Sequence, residues 1–344
     1  MPDIFPDIYL NATDFVLGEI EISNTDLINE YSGLTEKEIL DFCGVKKRFA
    51  SRFDQTASDL GILAANKLLD TYNIDKNTID YIIFVSDALD HKGPTTACFI
   101  QHELQLNENC GVIDILHGCT GFIYGLNLAK SLIYSNTASN ILIITADNPT
   151  KVIHPKDKQL RMLFSDGAAA TLVSRKKLSN GINFKVNEFI FGTDGKGFEN
   201  LIVHRSGTRN PADIEFLEEN KDVPSGMKWG MMYMNSAKIF LFAFRRVPKL
   251  INQIIQKHRL TIDEIDYFIF HQANGVMLEF LRKKLKIPQS KFIINIENTG
   301  NTVSATIPIA MKELPKLRHG DKILLAGFGI GYTWGATIIE YSEI

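Results

Sequence analysis

A cysteine stands in a glycine-flanked turn, HGCTG (117–121), between two apolar segments of different period. GVIDIL (111–116) ahead of it reads as a buried strand. FIYGLNLAKSLIY behind it puts Phe122, Leu126, Ala129, Leu132 and Ile133 on one face of a helix. Gly118 and Gly121 let the chain turn sharply and leave room for a ligand. A helix start offers Cys119 free N–H groups and partial positive charge, which favour a thiolate and could hold an oxyanion. Read by itself, Cys119 is equally a small buried apolar residue. Cys98 in TTACFIQHEL, Cys110 before its strand, and Cys43 lack such a setting and are expected in the core.

Two more polar residues have positions suited to chemistry. His271 follows the strand DYFIF in FHQAN, at the strand end where ligand groups gather in α/β folds. Asn301 lies in ENTGNTVSATIPIAM, a loop leading into a helix, where an asparagine is also an ordinary turn or cap residue. GFGIGYTWG (327–335) follows the strand KILLA and precedes a second strand. Its glycines allow close backbone approach, so a hairpin tip touching the site is expected. The run does not match GxGxxG ahead of a helix, so it is no dinucleotide fingerprint.

The elements that must position these residues recur. IDYIIFVS (79–86) matches IDYFIFHQ (265–272), and ILIITA (141–146) matches ILLAGFG (323–329). Both pairs are separated by roughly 180 residues, and an amphipathic helical stretch precedes each member of the first pair. Strands alternating with helices in both parts predict a layered α/β fold of two duplicated halves facing a shared site. The expected division is 1–174, carrying the cysteine, and 175–344, carrying the histidine and asparagine.

The chain has 344 residues, 45% hydrophobic and 22% charged, enough for a substantial core. A formal charge of −3 gives no basic excess for nucleic acid. No segment reaches the roughly 18 apolar residues of a membrane span. MPDIFPDIYLNATDF is acidic and proline-broken, unlike a secretory signal, and the four cysteines lack metal-type spacing. A cytoplasmic protein is expected.

DILHGCTGF, FHQAN, ENTGNT and GFGIGYTWG, in this order and spacing and with FSDGAAATLV (164–173), resemble the β-ketoacyl-acyl-carrier-protein synthase III family. The resemblance runs from about Asp14 to the C-terminus. It implies a thiolase-like α-β-α-β-α fold, a homodimer, acyl carrier protein as partner, and thioester substrates with no metal or redox cofactor. It also implies a nucleophilic role for Cys119 and a decarboxylating role for His271 and Asn301. Phe328 and Gly329 would lie beside them, with Ile330 supplying an oxyanion N–H. The implied reaction loads an acyl primer on Cys119 and condenses it with malonyl-carrier protein, in fatty-acid initiation or a dedicated secondary pathway. The alternative is an acyltransferase of the same fold that passes the acyl group to a hydroxyl or amine.

Several positions depart from the family pattern. Glu38 stands where relatives priming from coenzyme A have a tryptophan, and Lys158 where they have an adenine-holding arginine. An acetyl-CoA primer is therefore not expected, since a stacking contact of roughly 1–3 kcal/mol is lost. Gly93 replaces a phenylalanine that walls the acyl pocket from the partner subunit, which suggests a longer or bulkier acyl group. Val276 replaces a docking arginine. Arg282, Lys283 and Lys284 follow it and read either as a carrier-protein landing patch or as a solvated helix face.

Overall fold

The computed structural model describes residues 6–204, 206–209 and 231–344. Ten strands form one mixed sheet: β1 (Tyr9–Leu17), β2 (Tyr81–Ser86), β3 (Gly111–Leu116), β4 (Asn140–Asp147), β5 (Gly167–Ser174), β6 (Phe184–Thr193), β7 (Tyr267–Phe270), β8 (Phe292–Ile293), β9 (Lys322–Gly329) and β10 (Thr333–Tyr341). The first five are ordered β3-β2-β4-β5-β1 and the last five β8-β7-β9-β10-β6, the same order twice. A short antiparallel pairing, Tyr9 with Lys185 and Leu10 with Phe184, joins the two sets at β1 and β6.

The internal pairings repeat as well. β2 runs parallel to β3 and β4, as β7 does to β8 and β9, while β5 and β10 run antiparallel to β4 and β9. The segments matched in the sequence, 79–86 with 265–272 and 141–146 with 323–329, are therefore equivalent strands. Several strands are buried along nearly their whole length, as continuous apolar runs covered by helices on both faces must be.

Helices complete five layers. α1 (Ala57–Thr71) and α2 (Thr96–Glu103) cover one outer face, and their apolar side chains pack with Ile82, Phe84, Leu142 and Ile144. α3 (Gly121–Tyr134) and the later helix Thr306–Met311 lie in the middle. There Phe122, Leu126 and Ile307 meet Ile83 and Ile143 of the first half and Ile269 and Leu325 of the second. Two further helices, Ser236–Lys257 and Gly275–Lys284, cover the other outer face. Among the described residues no helix is long and apolar enough to cross a membrane.

Because α3 is shared by both halves, it fixes how their strand ends face each other. Leu126 has no exposed surface in this layer. Leu126→Ala is expected to cost about 3 kcal/mol of folding stability, measured by equilibrium chemical denaturation. A loss below about 1 kcal/mol would show that the central layer is loosely packed.

Candidate active site

The strand ends of the two halves converge on one sulfur. Cys119 follows β3 and precedes α3, as the turn predicts, and is 5% exposed. Thr120 at the start of α3 makes no side-chain cap, and the Gly121 N–H is taken by Gly118 O at 2.6 Å. The backbone N–H groups of Ile330 and of Cys119 itself face the sulfur. The hairpin of β9 and β10 brings Ile330 there, pairing Gly329 with Thr333 across the tip.

Gly329 allows this approach. A Cβ on it would lie 2.6 Å from Cys119 Cβ and 2.7 Å from Sγ, closer than any real contact. Gly327 is similarly confined, 2.9 Å from Thr120 Cα by the same measure.

His271 follows β7, and its N–H donates to Ala326 O on β9 at 2.8 Å. The ring is buried, and Nδ1 lies 2.7 Å from Thr306 Oγ1. That hydroxyl also reaches Val303 O at 3.1 Å, so the direction of its one proton selects the imidazole tautomer. Burial pushes the imidazole pKa down to about 3, so the ring is neutral. Asn301 bridges to Phe164; its Nδ2 donates to Ala273 O at 3.1 Å and its Oδ1 accepts from Val303 N at 2.9 Å. Phe328 stands edge-on to His271 with ring centres 5.9 Å apart.

Two cavities meet at Cys119. One, of about 150 Å³, is lined by Cys119, His271, Asn301, Phe328 and Gly329 together with the apolar Met277 and Phe240. The other, of about 390 Å³, has walls from Leu116, Phe164, Phe198, Ile202, Met232 and Val303, with Ile330 at its Cys119 end. Asp87 and Asp147, which follow and end β2 and β4, also line it. Sequence reasoning missed both. The strand-end rule that singled out His271 would have found them in IIFVSD and IITAD.

Some expectations need correction. A helix start was expected to favour the thiolate, but burial, reinforced by the Asp87 charge, pushes the Cys119 thiol up to about 12. Desolvation outweighs the two N–H groups that face the sulfur. Cys98 is exposed and Cys110 half-buried rather than in the core; Cys43 is buried as expected.

Gly93 lies in an exposed loop with no atom within 4 Å of where its side chain would begin, away from the cavities of its own chain. Arg282 is not a free charge, since it binds both oxygens of Glu279, at 2.7 and 2.6 Å, and Ile287 O. Lys283 pairs with the same Glu279 at 3.3 Å, and Lys284 Nζ donates to Phe244 O at 3.0 Å. Glu38 closes a capping box with Thr35, accepting from its N–H at 2.9 Å and its hydroxyl at 2.8 Å. Lys158 is close enough to help hold the Glu38 carboxyl below its ordinary range, after that hydrogen bonding.

Two like halves of this strand order, with a cysteine at the head of the shared central helix, define a protein of the thiolase fold. The family model "3-Oxoacyl-[acyl-carrier-protein (ACP)] synthase III" matches residues 113–195, and its C-terminal counterpart matches 255–341. The β-ketoacyl-[acyl-carrier-protein] synthase III of Clostridium perfringens is 35% identical over 316 residues, 91% of this chain and 93% of the relative. That of Caldanaerobacter subterraneus is 32% identical over 335 residues, covering 96% and 97%. A crystal structure of a 3-oxoacyl-(acyl-carrier-protein) synthase III superposes with a TM-score of 0.91 at 35% identity, covering 98% of this chain and 100% of that one. The Thermus thermophilus enzyme of that name gives 0.85 at 29% identity, covering 97% and 99%. The chain belongs to the β-ketoacyl-acyl-carrier-protein synthase III family.

Thiol alkylation tests the electrostatics of the site. With its pKa near 12, Cys119 should react with iodoacetamide slowly at pH 7, about tenfold faster per pH unit up to pH 10, as the thiolate fraction grows. Exposed Cys98 serves as the internal reference in peptide mass mapping. Rapid labelling of Cys119 at pH 7, without further gain above, would show a preformed thiolate.

Proposed function

We propose that the protein is a decarboxylating condensing enzyme, loading an acyl primer on Cys119 and extending it with malonyl held on acyl carrier protein. The observation that carries this reading is the meeting of two cavities at one sulfur, with His271 and Asn301 together in one of them. Cys119 attacks the primer thioester, and the N–H groups of Cys119 and Ile330 hold the tetrahedral oxyanion. The primer chain then lies in the larger apolar cavity. The malonyl thioester enters on the His271 side. With the Thr306 proton directed to Nδ1, His271 carries its own proton on Nε2 and donates it toward the thioester oxygen beside Asn301 Nδ2. Loss of CO₂ makes an enolate at those two donors, and its carbon attacks the acyl-Cys119 carbonyl. No step needs a metal or redox cofactor.

A neutral imidazole suits this role, because it donates without needing a charge that burial would oppose. Phe328 walls the reacting carbons from water. The capping use of Glu38, and its lysine neighbour, support a primer other than acetyl-CoA, since neither offers a face on which adenine could stack.

The carrier protein is proposed to dock over helices Ser236–Lys257 and Gly275–Lys284. Exposed Lys238, Arg245, Lys249, Lys283, Lys284 and Lys286 there surround the exposed apolar Leu241, Val276 and Phe280. Val276 also lines the cavity that holds His271. The working basic surface is thus wider than 282–284, with Arg282 contributing least. Two copies of the chain are proposed to pair through β3, an edge strand of the sheet whose Leu116 is 66% exposed.

Intact-protein mass spectrometry with a panel of acyl thioesters, chased with malonyl-carrier protein, tests the reaction. Wild type should gain an acyl mass that Cys119→Ala lacks, and release a product two carbons longer. Asn301→Ala should slow CO₂ release on the order of 100-fold while leaving acylation of Cys119 largely intact. Acylation without malonate consumption would instead indicate simple acyl transfer. Exchanging Lys283 and Lys284 for Glu should raise KM for malonyl-carrier protein several-fold, most strongly at low salt, with little effect on malonyl-CoA. Equal effects on both substrates would remove the docking role.

A further inference from the structure

Asp87 has no part in the chemistry above, yet its place is unusual. It follows β2, as His271 follows the equivalent strand β7, so the two halves bring these side chains to the shared centre from corresponding strand ends. His271 faces one cavity and Asp87 the other, and Cys119 lines both. A Cβ built on Gly118, the residue before the nucleophile, would fall 2.1 Å from Asp87 Oδ2 and 3.1 Å from Ile330 Cγ2. The Asp87 carboxyl therefore rests against the peptide that leads into Cys119, beside the residue whose N–H faces the sulfur.

The two carboxyls of this cavity differ in how they are held. Asp147 accepts from Asp87 N at 2.8 Å, Ser304 N at 3.0 Å, Ser86 Oγ at 3.3 Å, and Ser304 Oγ. It anchors β2 and the 303–305 turn, and its oxygens are occupied. Asp87 accepts no hydrogen bond among the described residues and keeps its carboxyl open to the cavity. Asp87 is open to solvent and lines the same cavity as the buried thiol without a direct hydrogen bond to it, so a proton can pass between them through one intervening water.

We propose that Asp87 is the general base, and then the general acid, of Cys119 acylation. Building on the nucleophilic role of Cys119, the step runs as follows. The Sγ–H bond breaks as the proton passes to a cavity water, which gives one of its own protons to the Asp87 carboxylate, and the sulfur attacks the thioester carbonyl carbon. The oxyanion collapses, the original C–S bond breaks, and the departing thiolate takes a proton from Asp87 by the same route. The water is returned unchanged, so charge and protons balance.

The electrostatics agree. Ionised Asp87 is a base open to this cavity, whereas burial makes the neutral His271 ring a weak one on the other side of the sulfur. The charged Asp87 opposes a neighbouring thiolate, but after taking the proton it is neutral, so the two negative charges never coexist. The groups facing Asp87 in this cavity are Cys119 and Asp147, with no basic side chain among the described lining residues. A primer chain filling the cavity displaces water from Asp87 and raises its pKa, favouring the protonated form that the leaving thiolate then uses.

The test is single-turnover acylation by hexanoyl-N-acetylcysteamine, followed by intact mass from pH 5 to 9, with malonyl-N-acetylcysteamine decarboxylation measured on the same preparations. Asp87→Asn should lower the acylation rate on the order of 100-fold, with decarboxylation falling far less. Wild-type acylation should rise as pH climbs through the Asp87 ionisation and then level. The Asn variant should lose that plateau and climb steadily with thiolate through pH 9. Asp87→Glu should recover much of the rate. Acylation within threefold of wild type in the Asn variant, or equal loss of both activities, overturns the assignment. Cys119→Ala separates the two readings. If it alone abolishes acylation, only the Asp87 role fails; if it still acylates at this site, the nucleophile assignment fails too.

Discussion

The site depends on the close contact between the β9–β10 hairpin and Cys119. Gly329 lies so close to the cysteine that no side chain fits, which brings the Ile330 N–H to the sulfur from one half and α3 to it from the other. The two N–H groups that face the sulfur therefore come from opposite halves of the chain. Their spacing is held by the buried layer in which Leu126 and Ile123 of α3 pack against strands of both halves. A packed layer of this kind resists small displacements, so donor geometry is preorganised before a substrate arrives.

This packing leaves the nucleophile electrostatically isolated. Desolvation and the Asp87 and Asp147 carboxyls push the thiol pKa up, outweighing the two N–H groups that pull it down, and desolvation is the largest of these effects. A resting thiol is the result. On the other side of the sulfur, the same desolvation keeps His271 uncharged and fit to act as a hydrogen-bond donor. Burial thus sets the protonation state of both groups, with the Thr306 hydroxyl deciding the tautomer of the histidine.

Cys119, His271 and Asn301 could be read from sequence because each follows a recognisable strand or precedes a recognisable helix, and the duplicated strands set their order. Asp87 and Asp147 also follow strong strands, but surface aspartates are common after strands, and only the three-dimensional crossing shows that these face a cavity. The basic run 282–284 misled for the opposite reason. Linear charge cannot show that Glu279, three residues before Arg282 on the same helix face, already holds it. Cys98 lies on a helix whose apolar pattern suggests burial, but the helix is short and its exposed face includes Phe99 as well. Glu38 and Lys158, far apart in the chain, come close enough for the lysine charge to act on the carboxyl, which the linear sequence does not show.

On the roles proposed for Asp87 and His271, duplication lets one sulfur serve two reactions with opposite proton demands. Taking the thiol proton needs a base whose charge can be quenched, whereas holding an enolate needs a neutral donor that stays protonated. A single group beside Cys119 would have to change state between the half-reactions. Two strand ends related by the internal repeat supply separate groups instead, a carboxyl on the acyl side and an imidazole on the malonyl side, each in its own cavity. The Cys119 side chain lies between them, so primer and extender approach the same atom without competing for the same polar residue. In this arrangement the acyl cavity can change its walls to suit another primer while the His271–Asn301 side keeps its geometry, because only the sulfur and its two N–H donors are common to both.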